Sequence, residues 1–424
     1  MGQQIDKIRV SAGEDLLAFI PHMVGYWPER SVVCIGMSGK RLRATLRLDL
    51  PSEHGANIAH FAAVAAAQLA SDTEADGCLL AIFGEEDWSG PQESPQGGLY
   101  AELCFAFAEC GLPVRDAWFV GLNHWRSFAC QDPQCCPWPG KDNSSIRESF
   151  VNAEFIFRGS MVRNCPKEQI QELTAFGDPV FADAVMAAGA DLREPLVRFG
   201  LARQQLSATL EAWELSLTCW PIPPEPDMVA YLLGSLAEAT VRDAVMVALA
   251  STGQNSLAGA TALDLVQNRT GVVRRPASWR AGKQYTNCAI SLEGMSEKSI
   301  LQAGHDFGHI LVGEVVVDSF GAQRPGPNWA RLDIAEHLLQ FLARCTESPD
   351  KAPVLCILGW IQWCKGRGTW AGNYFQACQE HQPGYRLASL LDELLAVGYI
   401  AECAKNQGTA WHGCAGNDDS GGES

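Results

Sequence analysis

Strand signals and helix signals alternate along the first 165 residues and then give way to helical spacing alone, and this change of rhythm constrains the fold more than any other feature. Val32 to Met37 is a continuous apolar run with β-branched residues, Ser38-Gly39 supplies a two-residue turn, and Lys40 to Leu50 alternates. The pattern predicts a hairpin whose second arm turns Leu42, Ala44, Leu46 and Leu48 to one side and Arg41, Arg43, Thr45 and Arg47 to the other. A helix over Ala56–Ala70, a strand over Cys78–Phe83, a helix over Leu99–Cys110 closed by Gly111, and a strand over Val114–Val120 follow. Ahead of them, Ser11 and Glu14 have the spacing of a capping box, and Leu16, Leu17, Phe19 and Ile20 fit a short helix ended by Pro21. The expectation is an α/β amino-terminal domain, a mixed sheet with helices, over residues 1–165.

From about Lys167 the strand signals fade, and Pro221, Pro223, Pro224 and Pro226 form a stiff connector. Residues 166–226 therefore read as a helical connector ending in a proline-rich linker, and 227–412 as an all-α, repeat-like helical carboxyl-terminal domain. Leu358-Gly359, Ala371, Phe375, Cys378 and Pro383 stand at the spacings of a tetratricopeptide repeat, with Gly366 and Gly368 at the turn between its helices. One full unit is recognisable where about three make a solenoid, so a helical hairpin stacked on its neighbours is the plainer expectation. A long insert is expected at about 268–328, its first part rich in Arg, Gly, Ser and Asn and read as an excursion or partly disordered loop. The polar stretch 89–98 reads as a loop, and the Gly-, Asp- and Ser-rich tail 413–424 as disordered.

Charge and cysteine usage narrow the function class. With 32 basic and 49 acidic residues the net charge of −17 repels phosphate backbones, so nucleic acid is not an expected partner. Met1 to Val10 lacks the basic and apolar segments of a secretory signal, and the longest apolar stretch, Val354 to Trp363, falls short of the ~20 residues of a membrane helix. A soluble, cytoplasmic protein without membrane contact is expected. Most of the 16 cysteines are scattered singly, as at Cys78, Cys104, Cys219, Cys356 and Cys378, and read as small buried hydrophobes in a reducing compartment.

The exception is the loop 124–140, where Cys130, Cys135 and Cys136 with His124 supply four donors of the kind zinc takes in a tetrahedral site. A Cys-x-x-Cys knuckle is absent, and adjacent Cys135 and Cys136 project apart unless the chain turns sharply, as Pro133 and Pro137 allow. Zinc site, reactive or redox thiol, and purely structural loop all stand as readings. His305 and His309 resemble the His-Glu-x-x-His metalloprotease pattern, with Glu314 or Asp318 as a third donor. Asp306 replaces the glutamate and Gly308 weakens a helix, so two ordinary histidines near a helix start are expected. Gly36, Gly39 and Lys40 lack phosphate-loop spacing, and neither a nucleophile elbow nor a dinucleotide fingerprint is present. Tyr26, Trp27 and Glu29, with Pro28, place an amphipathic aromatic cluster on a turn, either a partner-binding surface or a tryptophan plugging the sheet edge.

Motifs spread over nearly the whole chain carry a family likeness. They are Asp15-Leu16-Leu17, Gly25-Tyr26-Trp27-Pro28-Glu29, Ser31-Val32-Val33, Arg47-Leu48-Asp49-Leu50-Pro51, Cys130-x-Asp132-Pro133-x-Cys135-Cys136-Pro137, and Pro383-Gly384-Tyr385-Arg386-Leu387-Ala388. On these the chain resembles the actinobacterial family known as domain of unknown function 4192, with the insert 268–328 lying outside the pattern. The resemblance implies a cytosolic protein and carries over no activity. The expectation is a non-catalytic ligand- or partner-binding protein, regulatory or scaffolding, with a protein partner engaged by the helical half. The alternative is a metal- or thiol-dependent enzyme centred on Cys130, Cys135 and Cys136, with zinc the candidate cofactor and Asp132 a nearby acid or base.

Overall fold

In the computed structural model, the first half is organised on one central strand, β1 (Ser31–Ser38), which is buried along nearly its whole length. It pairs antiparallel with β2 (Arg41–Asp49) on one edge and β3 (Gly77–Phe83) on the other. β3 pairs parallel with β4 (Val114–Val120), and β5 (His124–Ser127) and β6 (Lys141–Asp142) extend the sheet antiparallel. The result is a mixed sheet in the order β2-β1-β3-β4-β5-β6. The structure describes residues 12–51, 57–88, 90, 94–267, 269, 272–281, 289–314, 326–347, 349–396, 398–405 and 408–411. Ser11 of the expected capping box, Asp318, part of the loop 89–98 and the tail 413–424 lie outside them.

The period of the strand sorts β1 between two cores. Val32 and Cys34 join Leu80 and Ile82 against α2 (Ile58–Leu69) and α3 (Gly97–Glu109). Val33 and Ile35 join Ala81 and Phe83 against α1 (Gly13–Val24), α4 (Ser144–Arg147) and α5 (Phe150–Phe157). Because both faces are covered, β1 reads as an unbroken apolar run, and each buried aliphatic contributes about 1.5–3 kcal/mol.

Two local expectations are corrected. The side chains of β2 do not alternate cleanly, because the pairing with β1 shifts between Ile35 and Met37, opposite Arg43 and Ala44. One extra residue flips everything beyond it, so Leu46 and Leu48 pack on the α2/α3 side while Leu42 packs on the α1 side. The helix α1 is not ended by Pro21: it continues to Val24 and closes at Gly25, whose φ of +88° lets its N–H reach the Pro21 carbonyl at 2.8 Å.

The chain divides into two compact units, Met1–Gln169 and Ile170–Ser424, with the division falling inside α6 (Pro166–Thr174). The second unit is helical: α7 (Pro179–Gly189), α8 (Arg193–Phe199), α9 (Arg203–Cys219), α10 (Pro226–Ser235), α11 (Ala239–Ala250), α12 (Gly253–Ala262) and α13 (Glu297–Leu311). They are followed by α14 (Trp329–Arg344), α15 (Lys351–Cys364), α16 (Gly368–His381), α17 (Arg386–Ala396) and α18 (Glu402–Lys405). The proline connector joins α9 to α10 within this unit, and Pro226 is the first residue of α10, where its missing N–H costs nothing. α15 is buried on every side and is the central helix of the core. Gly359 is what lets α16 approach it, since a Cβ there would sit 2.4 Å from the Phe375 ring.

The insert is not the free excursion expected of it, for its described parts are tied to α9. Gln205 bonds both the N–H (2.7 Å) and the carbonyl (3.1 Å) of Arg274. Ser207 donates to the Ile290 carbonyl at 2.7 Å, and Glu211 accepts the Ile290 N–H at 3.2 Å. Among the described residues no helix is long and apolar enough to cross a membrane.

Candidate metal centre

The long connection between β5 and β6, residues 128–140, lies at the edge of the sheet and carries the three clustered cysteines. Its backbone folds on itself at Asp132, whose carbonyl accepts the Cys136 N–H at 2.7 Å and whose carboxylate accepts the Gln134 N–H at 2.9 Å. That turn brings the neighbours Cys135 and Cys136 round to Cys130, and the three sulfurs all lie within 4.8 Å of one another. Zinc with ~2.3 Å bonds to sulfur holds tetrahedral thiolates ~3.8 Å apart, so a small inward movement completes a three-sulfur cradle. Cys136 is buried, Cys130 half-buried and Cys135 exposed, so the cradle opens to solvent on the Cys135 side.

The loop is anchored on Arg126, a buried residue only 5% exposed. It donates to the carbonyls of Cys136 (2.7 Å), Pro137 (3.0 Å) and Cys130 (3.3 Å). Its charge lies against the rings of Trp138 and Trp88, with no carboxylate paired to it among the described residues. Ser127 holds the start of the loop, its hydroxyl oxygen accepting the N–H groups of Ala129 (3.2 Å) and Cys130 (3.3 Å).

These surroundings split the thiols. The backbone N–H of Asp132 points at the Cys130 sulfur and, with the thiol of Cys136, pulls the Cys130 pKa below its ordinary value. Burial pushes the Cys136 thiol up to about 11, against a backbone N–H from Ser127 that favours the thiolate. The amide N–H on Cys130 therefore favours its thiolate, while burial of Cys136 outweighs the N–H placed on its sulfur.

His124 does not join the cradle. It sits at the far end of β5, about 10 Å of strand before Ser127, and its Nδ1 lies 3.4 Å from Asp87. Asp87 is desolvated, which raises its pKa, but the N–H groups of Asn123 and His124 outweigh this and hold it below the carboxylate range. Nor do Tyr26, Trp27 and Glu29 form one exposed surface. Tyr26 is buried, Trp27 packs edge-on to Phe83 at 6.3 Å, and only Glu29 faces solvent, because aromatic area is better covered by the sheet than left wet. Arg126 and Ser127 were not expected from the sequence: a single arginine in a strand reads as a solvated face, and only its place just before Cys130 sets it apart.

The model of a family described as domain of unknown function (DUF4192) matches residues 14–278 and 329–401. The chain belongs to this family. The DUF4192 match contains the whole cysteine loop and omits residues 279–328. Comparison with the curated proteins and with the solved structures gives no match.

Proposed function

We propose that the protein is a binding protein rather than an enzyme, and that its amino-terminal unit holds a thiophilic cation, zinc foremost, through Cys130, Cys135 and Cys136. The observation that carries this is the convergence of the three sulfurs within 4.8 Å on a turn made by the backbone itself. The buried Arg126 charge below the loop supports it, since three thiolates on one divalent cation leave net negative charge to balance. The fourth position faces solvent beside Cys135 and takes water or a donor from a partner. In this reading the helical unit makes the protein contacts and the chain works in the reducing cytoplasm, where free thiols persist.

The test is elemental analysis of chain purified under reducing conditions, followed by cobalt reconstitution. Bound zinc and a thiolate-to-cobalt charge-transfer band that Cys135→Ser abolishes are the expected results. A chain whose cobalt form shows no thiolate band refutes the site. A metal- or thiol-dependent enzyme is the second reading, favoured by the lowered Cys130 thiol and the open fourth position. Against it, the Asp132 carboxylate is engaged by the Gln134 amide.

A further inference from the structure

We infer that His305 and His309 form a second metal site, built on imidazole and independent of the cysteine loop, for a divalent transition cation such as nickel, zinc or copper. Both lie on α13, which starts at the cap Ser296, whose hydroxyl oxygen accepts the Ser299 N–H at 3.1 Å. The opposite side of α13 is pressed on α12: a Cβ at Gly304 would sit 2.7 Å from Ala262, and one at Gly259 would meet Phe307 at 2.9 Å. This close packing fixes the rotation of the helix and sends His305, 51% exposed, and His309, 32% exposed, outward together.

The two Nε2 atoms face each other at 3.1 Å. A cation with ~2.0–2.1 Å bonds to nitrogen holds two ligands roughly 2.9 Å apart at a right angle and about 3.4 Å apart at the tetrahedral angle. The observed separation falls between, so the two nitrogens are already at the spacing of ligands to one ion. On the other side of each ring stands a carboxylate. His309 Nδ1 is hydrogen-bonded to Glu314, and His305 Nδ1 lies 3.9 Å from Asp306. A carboxylate accepts, so His309 keeps its proton on Nδ1 and offers Nε2 as a lone pair. In the metal-free protein His305 donates from Nε2 to that lone pair; on binding, its proton moves to Nδ1, toward Asp306, and both Nε2 atoms are free for the cation.

Glu314 is a positioning residue, placed by the end of the helix. Gly313, at φ +66°, turns the chain so that the Glu314 N–H reaches the His309 carbonyl at 2.9 Å. The arrangement differs from that of a metalloprotease helix, since Asp306 sits on the Nδ1 side of His305 and accepts from Gln302 at 2.8 Å. It is a binding site with its remaining positions open to water, and imidazole suits borderline cations. The DUF4192 match skips residues 279–328, so the site lies outside the matched stretches.

Nickel titration of the full chain, by calorimetry and by the metal-induced rise in melting temperature, tests the inference. With the cysteine loop removed as a nickel site by Cys135→Ser, His305→Ala and His309→Ala should each weaken the remaining nickel binding about tenfold or more and abolish the rise. Glu314→Gln should weaken binding by about tenfold at a pH where imidazole is neutral, with metal-free melting unaltered. Histidine variants that bind nickel as the wild type does, or a wild-type chain that takes up none outside the cysteine loop, would overturn it.

Discussion

The guanidinium carbon of Arg126 lies 3.5 Å from the centroid of the Trp138 ring while its nitrogens hold carbonyls on both sides of the cysteine turn. Lysine can stack but cannot reach three carbonyls from one planar group. Arg126→Lys should therefore lower stability by about 1–2 kcal/mol, and Arg126→Met by about 3 kcal/mol because the carbonyls are left without a donor. Urea midpoints measure both, and a midpoint unchanged in Arg126→Met would remove the anchor role.

Alkylation of the metal-free protein should be ordered by the thiol environments. The Asp132 amide and the Cys136 thiol favour ionised Cys130, so its reaction with iodoacetamide should reach half its maximal rate below the ordinary thiol pKa of about 8.5. Cys136, with burial lifting its pKa to about 11, should react last of the three loop cysteines. Because the Cys130 pKa is lowered by folding, its contribution to stability is present above the ordinary thiol value and lost as pH falls through the folded one. Mass spectrometry of the alkylated peptides gives the order.

Asp116 sits behind the site, half-buried, accepting the Ala117 N–H at 2.8 Å and the Ser127 hydroxyl at 3.3 Å. Desolvation raises its pKa, outweighing those bonds. A carboxyl raised by folding contributes stability below its unfolded pKa, about 3.9, and loses it as pH rises through the folded value. Asp116→Asn keeps both acceptor bonds without the charge. Its melting temperature should match that of the wild type in acid and exceed it at pH 7; equal melting at both would contradict the burial effect.

Lys365 is a buried cation of the helical unit, its side chain 2% exposed and its Nζ 2.6 Å from both Asp333 and Glu336. Lys365→Met leaves two carboxylates without their partner, a loss of about 3–5 kcal/mol. Adding Glu336→Gln should restore part of it. Denaturation of the single and double variants measures the coupling, and additive losses would speak against it.

The sheet was legible because strand burial leaves unbroken apolar runs, and Val32 to Met37 is one. The extra residue opposite Gly36 was not, since nothing in the alternation of β2 marks where the register slips. The convergence of the three cysteines could be expected from nearness in sequence alone, whereas His124 stays apart because the rise of β5 carries it away. The helix α13 was obscured by Gly304 and Gly308, which depress helical propensity; Gly304 is the residue that allows contact with Ala262. The aromatic cluster at Tyr26 and Trp27 was visible, but which way its rings turn depends on the sheet they cover.

The hydrogen bonds that tie the insert to α9 run to main-chain groups: Gln205 takes both those of Arg274, and Ser207 and Glu211 divide those of Ile290. Main-chain groups are common to every residue but proline, so these clasps do not depend on which side chains the inserted stretch carries. Substitutions at exposed positions of that stretch should therefore leave it attached, whereas the buried Ile290 side chain and the Arg275–Glu211 ion pair must be kept.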